Sequence, residues 1–291
     1  MRKSNILITV TAVTIAFLLA ITFISFHFST HNKDSDSDNG VLLPDTDKLP
    51  EIDQTPETPD TPGEELPDDQ PDVPVTTFPK ATYIRAKVNG LNIRSAPSTS
   101  ASSLGYIDKN DMVIFRGKES NWYVTEYKNK TAYISAGSAY TELTEMIPSA
   151  DERVEAVVTE GYKLLGFPYV YGATRLHNGK GVFLSGFDKT KYDCSSLMQY
   201  IFYYGAGVNL NLTTRTQVTQ GTHVPRGEIA RGDLIFFTNS IRYNNTGVER
   251  IGHVALYLGN NYILHTATDY AVIEEISATR WSYYVETRRM I

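Results

Sequence analysis

The sequence predicts an α+β domain in the C-terminal half of the chain, preceded by a small all-β barrel and by one N-terminal transmembrane helix. Three observations lead to this prediction. An uncharged apolar run fills residues 5–26, short alternating runs separated by turn residues fill residues 81–143, and helical patterns precede strand patterns from residue 149 onward. Helices followed by antiparallel strands are typical of the α+β class.

The first element is a membrane anchor. Residues 5–26 carry no charged side chain and are long enough, as a helix, to cross the hydrocarbon core of a bilayer. Residues 25–28 form a poor signal-peptidase site, which favours a retained anchor within residues 1–30 over a cleaved signal peptide. Because Arg2 and Lys3 precede the run, we expect a single-pass protein of the cell membrane whose folded domains lie on the extracellular, cell-wall side.

The second element is a linker. Residues 31–80 hold 9 of the 13 prolines, 14 acidic residues and 3 lysines, with few large apolar side chains. This composition cannot form a core, and prolines together with mutually repelling carboxylates keep a chain extended. We therefore expect a disordered acidic tether, which also accounts for the net charge of −6. The rest of the chain is slightly positive, which we interpret as ordinary surface charge, and we expect no nucleic-acid partner.

The third element is the all-β domain, expected over residues 81–146. Strand patterns of about five residues, separated by turn signals, predict a small closed barrel. The motifs in this segment are Leu91-Asn92-Ile93-Arg94-Ser95-Ala96-Pro97-Ser98, Asn121-Trp122-Tyr123 and Ala132-Tyr133-Ile134. They resemble those of bacterial SH3-like wall-binding domains. The resemblance implies that this domain binds peptidoglycan or packs beside a catalytic domain to shape its cleft.

The last element is the α+β domain, expected over residues 149–291. Ser149 and Glu152 have the spacing of a capping box and predict a helix that reaches about Leu165. A polar, Gly-rich excursion follows at residues 174–191, and a loop of that length inside a compact domain is usually functional or mobile. Five strand patterns come after it, at residues 233–238, 253–258, 262–268, 272–276 and 283–290.

The single cysteine of the chain, Cys194, stands where a polar turn gives way to an amphipathic helix. Asp193 is a favourable N-cap, so Cys194 would lie in the first helical turn with Leu197 and Ile201 on the buried side. Unpaired N–H groups and the helix dipole favour a thiolate at that position, so we expect a lowered thiol pKa and a nucleophile. From this segment alone, a small buried structural thiol is the alternative.

A cysteine nucleophile needs a base, and a third polar group that orients the base. Of the six histidines, only His253 and His265 lie in strand patterns of the α+β domain. Residues 259–261 predict a three-residue hairpin loop, with Leu258 opposite Tyr262. In that register the two histidines share one face of the sheet as diagonal neighbours, within hydrogen-bonding reach. A two-residue loop would place them on opposite faces.

Residues 150–291 also carry a series of motifs, which are Tyr169-Val170-Tyr171-Gly172, Asp193-Cys194-Ser195-Ser196, Arg215 with Gln220, Gly232-Asp233-Leu234-Ile235-Phe236-Phe237, Gly252-His253-Val254-Ala255-Leu256-Tyr257-Leu258-Gly259-Asn260-Asn261 and Arg288-Arg289. In this order they resemble the motifs of the NlpC/p60 cysteine peptidases. That family has a papain-like fold and cleaves peptidoglycan stem peptides, commonly between γ-D-glutamyl and a diamino acid. The resemblance implies peptidoglycan peptides as the partner, and no metal or other cofactor.

By this resemblance Cys194 is the nucleophile, His253 is the base and then the acid, and His265 orients His253. Tyr169 matches a family tyrosine that lies beside the nucleophile and is associated with the oxyanion site. The mechanism that these groups imply is attack by the thiolate, an acyl-enzyme thioester, and hydrolysis of that thioester by water.

Two further residues, Asp193 and Ser195, match positions that hold the substrate amine in relatives acting on free L-Ala-γ-D-Glu ends. Without a ligand, the same residues serve the helix as its N-cap and first turn. The chain departs from the family pattern at three positions, because Ser196, Ala173 and Thr214 stand where Gly, Gly and Pro are usual.

The leading hypothesis is therefore a membrane-anchored cell-wall hydrolase. A non-catalytic wall-binding protein that has kept the fold is one alternative, although the intact Cys-His-His set argues against it. An acyltransferase with the same triad is another, and an apolar acyl groove would distinguish it. Three zinc ligands are a weaker interpretation of Cys194, His253 and His265, because the spacing of neither CxxC nor HExxH is present.

Overall fold

The computed structural model describes residues 80–291. The predicted anchor, residues 1–30, and all but the last residue of the predicted linker, residues 31–80, lie outside that range. Within it, no helix is both long enough and apolar enough to cross a membrane. The described residues fall within one compact unit of the chain.

Short strands fill the N-terminal part of the described chain, as the sequence predicts. They are β1 (Ala81–Ala86), β2 (Leu91–Arg94), β3 (Ser103–Ile107), β4 (Met112–Ile114), β5 (Gly117–Glu119), β6 (Trp122–Tyr127), β7 (Lys130–Ser135) and β8 (Thr141–Met146). Five of them form an antiparallel sheet in the order β3-β2-β7-β6-β5. The other three, β1, β4 and β8, belong to a second sheet, so the strands of the predicted barrel are divided between two sheets.

The C-terminal part contains helices and then strands. The helices are α1 (Glu152–Leu164), α2 (Cys194–Ala206), α3 (Thr214–Gln217) and α4 (Ala278–Ser282), and the strands are β9 (Thr222–His223), β10 (Leu234–Phe237), β11 (His253–Gly259), β12 (Tyr262–Ala267), β13 (Tyr270–Glu275) and β14 (Tyr284–Arg289). These strands pair antiparallel, and α2 packs on α1, β11 and β12. The predicted α+β class is confirmed.

The second sheet has nine strands and joins the two parts of the chain. Its order is β8-β1-β4-β13-β12-β11-β10-β14-β9. Met112 on β4 pairs with Ile273 on β13, and both residues are fully buried. Buried apolar side chains from both parts, among them Ile84, Leu197 and Leu264, form one continuous cluster. The N-terminal strands therefore extend the sheet that carries both predicted site histidines.

Helix α1 begins differently from the prediction. Its N-cap is Asp151, whose carboxylate accepts a hydrogen bond from the N–H of Arg153 at 2.9 Å. The Ser149 hydroxyl instead accepts from the N–H of Asp151, so the predicted capping box of Ser149 is wrong. Asp is as favourable an N-cap as Ser. Asp151, which directly precedes the first helical residue, therefore occupies the N-cap position. Val157 and Val158 on this helix are fully buried.

A buried guanidinium, that of Arg231, links three elements; its side chain is only 5% exposed. Its Nε and Nη2 atoms donate to the carboxylate of Glu155 on α1 at 2.6 and 3.0 Å. Its Nη1 atom donates to the carbonyl of Leu258 at 2.8 Å, and Nη2 also lies 3.1 Å from the hydroxyls of Tyr83 and Tyr162. Because charge-assisted hydrogen bonds are strong away from water, Arg231 holds β1, α1 and β11 together.

We expect Arg231→Met to lower the free energy of unfolding by about 3–5 kcal/mol, because it leaves the Glu155 carboxylate without its partner. Lys80→Met is the matched control, since the ion pair between Lys80 and Glu145 is exposed and such pairs contribute little. Denaturant titration of the full chain, followed by intrinsic fluorescence, measures both variants. Equal transition midpoints would contradict a special role for Arg231.

Candidate active site

Cys194 is the first residue of α2, and Asp193 is the N-cap of that helix, as the sequence predicts. Asp193 Oδ1 accepts from the N–H of Ser196 at 2.8 Å, and the Ser196 hydroxyl accepts from the N–H of Asp193 at 2.9 Å. This reciprocal capping box needs a side-chain oxygen at position 196. It gives a structural reason for Ser196, where the resembling family usually has glycine.

The thiol of Cys194 is buried, with 8% of the residue exposed. Its sulfur accepts hydrogen bonds from the backbone N–H groups of Ser195 and Val254, and Val254 is the residue after His253 on β11. Burial outweighs these hydrogen bonds and raises the pKa of the thiol to about 12, and the Asp193 carboxylate adds to the rise. The expected lowering of this pKa is therefore wrong, because the helix start lies inside the protein, where a thiolate loses its hydration.

His253 begins β11, and His265 lies in the middle of β12. The Nε2 atom of His253 is 2.9 Å from the Nδ1 atom of His265, and the two rings are at 81° to one another. This contact confirms the prediction that both side chains share one face of the sheet. Burial lowers the pKa of His253 well below its usual value, and the proximity of His265 and Arg280 lowers it further. His253 is therefore neutral at neutral pH.

The hairpin between β11 and β12 differs from the predicted three-residue loop. Leu256 pairs with Leu264 in the expected register, but Gly259, rather than Leu258, pairs with Tyr262. The turn therefore consists of the two residues 260–261, both asparagines with positive φ of 49° and 67°. A bulge at Leu258 takes up the extra residue, so the strands beyond it keep the predicted register.

Tyr169 lies beside the start of α2. Its N–H donates to the carbonyl of Asp269 at 2.9 Å, and the residue forms a parallel bridge with Tyr192, two positions before Cys194. Burial raises the pKa of Tyr169, and the proximity of Cys194 raises it further. The structure therefore brings a protonated phenol, a hydrogen-bond donor, close to the thiol.

The Asp193 carboxylate is surrounded by donors and is only 4% exposed. Besides the Ser196 N–H, its Oδ1 atom accepts from the Ser195 hydroxyl at 3.1 Å. Its Oδ2 atom accepts from the N–H of Gly172 at 3.2 Å and lies 2.8 Å from Arg175 Nη1. Asp193 and Ser195, the two residues predicted to bind a substrate amine, thus bind each other, and Asp193 also pairs with Arg175. No motif of the sequence pointed to Arg175.

Glu274 and Arg280, which lie behind His265, were also absent from the predicted site. Glu274 Oε1 is 3.1 Å from His265 Nε2 and accepts a hydrogen bond from Arg280 Nη2 at 2.7 Å. The sequence carries one signal for Glu274, because it is a charged residue in an otherwise alternating strand pattern. That signal can be used only if the turn between β12 and β13 is placed at Thr268, whose φ is 60°. The position of this turn fixes which residues of β12 and β13 pair.

Residues 166–289 match the NlpC/P60 family, and residues 89–141 match the bacterial SH3 domain. Both resemblances drawn from the sequence motifs are therefore confirmed. The chain therefore carries an NlpC/P60 domain in its C-terminal part, and a bacterial SH3 domain precedes it.

Among its relatives is the peptidoglycan endopeptidase RipB of Mycobacterium tuberculosis, 39% identical over 136 residues, or 46% of this chain and 52% of RipB. The solved structure of the peptidoglycan hydrolase RipB is 30% identical, with 50% of this chain and 69% of that chain covered and a TM-score of 0.38. The peptidoglycan DL-endopeptidase CwlO of Bacillus licheniformis is 31% identical over 140 residues, covering 47% of this chain and 27% of CwlO. The structure of M. tuberculosis RipD, described as a non-catalytic NlpC/p60 domain protein, is 22% identical, with 48% and 99% covered and a TM-score of 0.38. This chain thus spans about half the length of RipB.

We expect His253→Ala to slow the alkylation of Cys194 by iodoacetamide at neutral pH by at least about tenfold, because the buried thiol loses its base. The difference should shrink as the pH approaches the thiol pKa of about 12, where the thiol ionises directly. Mass spectrometry reads the adduct without ambiguity, since the chain has one cysteine.

His223→Ala is the control for this alkylation experiment, because His223 lies on β9, where it pairs with Glu286 and is largely exposed. A His253→Ala variant that merely loses its fold would react faster than the wild type, since its thiol would become exposed. A rate equal to that of the wild type at neutral pH would exclude His253 as the base.

Proposed function

We propose that this chain is a cell-wall hydrolase that cleaves peptidoglycan stem peptides as a cysteine peptidase. One observation carries the proposal: the thiol at the capped start of α2 contacts the strand that holds His253 against His265. The names of RipB and CwlO support peptidoglycan as the substrate class. We assign cleavage to the bond between γ-D-glutamyl and a diamino acid, as the sequence resemblance implies.

The proposed reaction begins with two neutral groups. The pKa of the Cys194 thiol is raised to about 12 and that of His253 is lowered, so a resting thiolate–imidazolium pair is disfavoured. The thiol proton therefore passes to His253 Nδ1, the ring nitrogen that does not contact His265, as the sulfur attacks the scissile carbonyl carbon. A sulfur–carbon bond forms, and negative charge develops on the carbonyl oxygen.

Two donors are available for that oxygen. The backbone N–H of Cys194 lies in the first turn of α2, where N–H groups lack intrahelical partners. The Tyr169 hydroxyl, which its raised pKa keeps protonated, is the second. The carbon–nitrogen bond then breaks as His253 gives its Nδ1 proton to the leaving amine. Water, deprotonated by His253, finally attacks the thioester and releases the thiol.

We infer that cleavage does not need a free amino end on the stem peptide. In relatives that need one, the counterparts of Asp193 and Ser195 would hold the substrate ammonium. Here Arg175 lies 2.8 Å from the Asp193 carboxylate and neutralises the charge that would attract an ammonium group. The proposed substrate therefore includes stem peptides that are still attached to glycan.

The proposal places the folded domains on the outer side of the cell membrane. The apolar run at residues 5–26 supports an anchor, and the composition of residues 31–80 supports a tether. A fully extended, polyproline-like tether of this length would reach on the order of 150 Å. That reach would confine cleavage to the layers of the wall near the membrane.

Two other functions compete with this proposal. A wall-binding protein without catalysis would not require the contact between His253 and His265, which the chain retains. An acyltransferase could use the same Cys194, and only its products would distinguish it. As for the zinc interpretation, residues 80–291 contain no group of three His, Cys, Asp or Glu side chains placed to hold a metal ion.

The full chain, incubated with purified peptidoglycan, should release fragments with new amino termini on the diamino acid. Cys194→Ala should reduce this release by at least about a thousandfold, because no other group replaces the nucleophile. Mass spectrometry of the fragments measures both, and Lys80→Met serves as the active control. Binding to peptidoglycan without new amino termini would contradict the proposal in favour of the wall-binding function.

A second experiment tests whether the substrate needs a free amino end. We expect the wild type to cleave synthetic L-Ala-γ-D-Glu-diamino acid peptides with free and with acetylated amino ends at kcat/KM values within about tenfold. Arg175→Gln should raise the preference for the free amine by about tenfold, because Asp193 regains an unpaired charge. Lys180→Gln is the control, as this exposed lysine lies in the same excursion. A wild type that cleaves only the free amine would contradict the inference.

A further inference from the structure

We propose that Glu274 and Arg280 are positioning residues that set which nitrogens of His265 and His253 carry protons. The inference rests on the proposed function, since it concerns the same thiol and base. The contacts form a chain that begins at His253. Distances are 2.9 Å from His253 Nε2 to His265 Nδ1, 3.1 Å from His265 Nε2 to Glu274 Oε1, and 2.7 Å from Glu274 Oε1 to Arg280 Nη2.

The chain of contacts follows from the register of β12 and β13. His265 pairs with Val272, and Glu274 lies two residues further along the same face of β13, as a diagonal neighbour of His265. Arg280 comes from α4, whose N-cap Ser277 accepts a hydrogen bond from the N–H of Arg280 at 3.1 Å. The short helix thereby turns the guanidinium back toward the strand.

The proton positions follow from what each group can donate. Glu274 Oε1 lies 3.1 Å from His265 Nε2, and its negative charge favours a proton on the ring nitrogen that faces it, so His265 Nε2 carries that proton. In a neutral His265, the Nδ1 atom is then an acceptor, and His253 Nε2 must donate to it. This leaves the lone pair of His253 on Nδ1, where it can take the thiol proton. The opposite tautomer of His253 would have no lone pair at Nδ1 and could not act as the base.

The charges of the two positioning residues act on His253 in opposite senses. The negative charge of Glu274 raises the pKa of His253, whereas the positive charge of Arg280 lowers it. The ring can therefore stay neutral at rest and still accept a proton during attack. The other titratable or charged groups around the thiol and the two histidines are Tyr169, Arg175, Asp193 and Cys194 itself.

The test compares Glu274→Gln and Arg280→Gln with Glu275→Gln in the full chain. Glutamine has nearly the same shape as glutamate and keeps an oxygen near His265 Nε2, so the substitution removes the charge. Glu275 is the matched control, because it follows Glu274 on β13 and is exposed. Two readouts are measured against pH: the alkylation rate of Cys194 by iodoacetamide, and kcat/KM on a stem peptide.

Glu274→Gln should make His253 less basic, which moves the acid limb of both profiles to lower pH and slows alkylation at neutral pH by about threefold to tenfold. Arg280→Gln should move the acid limb to higher pH and speed alkylation by a similar factor. Glu275→Gln should leave both profiles unchanged. A merely structural role would lower the rates without shifting the two profiles in opposite directions.

Shifts of the two variants in the same direction, or shifts no larger than that of Glu275→Gln, would overturn the proposal. If Glu274→Gln proves unfolded in a thermal melt, the Arg280→Gln profile decides alone, since its shift to higher pH supports the proposal and its absence refutes it. Alkylation needs no peptidoglycan. A protein that cleaves no peptidoglycan but shows the opposite shifts would refute the proposed function and leave the roles of Glu274 and Arg280 intact.

Discussion

The hydrogen bond between His253 and His265 requires β11, β12 and β13 to keep one register. The central strand β12 is buried over Tyr262–Thr266, so His265 sits in an environment where an unpaired imidazole nitrogen would be costly. Because side chains alternate between the two faces of a strand, a slip by one residue would carry His265 away from His253. The ladder between β12 and β13, with six paired positions, opposes such a slip. The contact between the two histidines therefore depends on the pairing of these strands.

The SH3 domain also stabilises this site, through contacts with the segment that precedes Tyr169. The ring of Tyr127 lies over Gly166, where a Cβ atom would come within 2.2 Å of it and where φ is +84°, so only glycine fits. The N–H groups of Lys128 and Asn129 donate to carbonyls at the end of α1 at 2.8 and 2.7 Å. These contacts hold the chain just before Tyr169. The domain thus helps to position Tyr169 beside the thiol.

Local patterns were enough to predict the α+β order, the helix that starts at Cys194 and the face shared by the two histidines. Each of these depends on residues close in sequence, namely an N-cap or the alternation of a strand. The thiol pKa could not be predicted in this way, because it depends on burial under a strand some sixty residues later in the chain. Arg231 was missed for the same reason, since Glu155 and Tyr83 lie 76 and 148 residues away from it.

The bulge at Leu258 also bears on how this chain can vary. Surface turns usually accept insertions and deletions freely, because nothing downstream depends on their length. The turn at residues 260–261 is different, since losing or gaining one residue, without a second change at the bulge, would rotate every later side chain of β12 to the opposite face. Insertions or deletions of two residues in this hairpin leave the side chains of β12 on the same face of the sheet. Among homologues that keep His265, the β11–β12 hairpin should therefore vary in length by even steps, or trade one residue of the turn for the bulge.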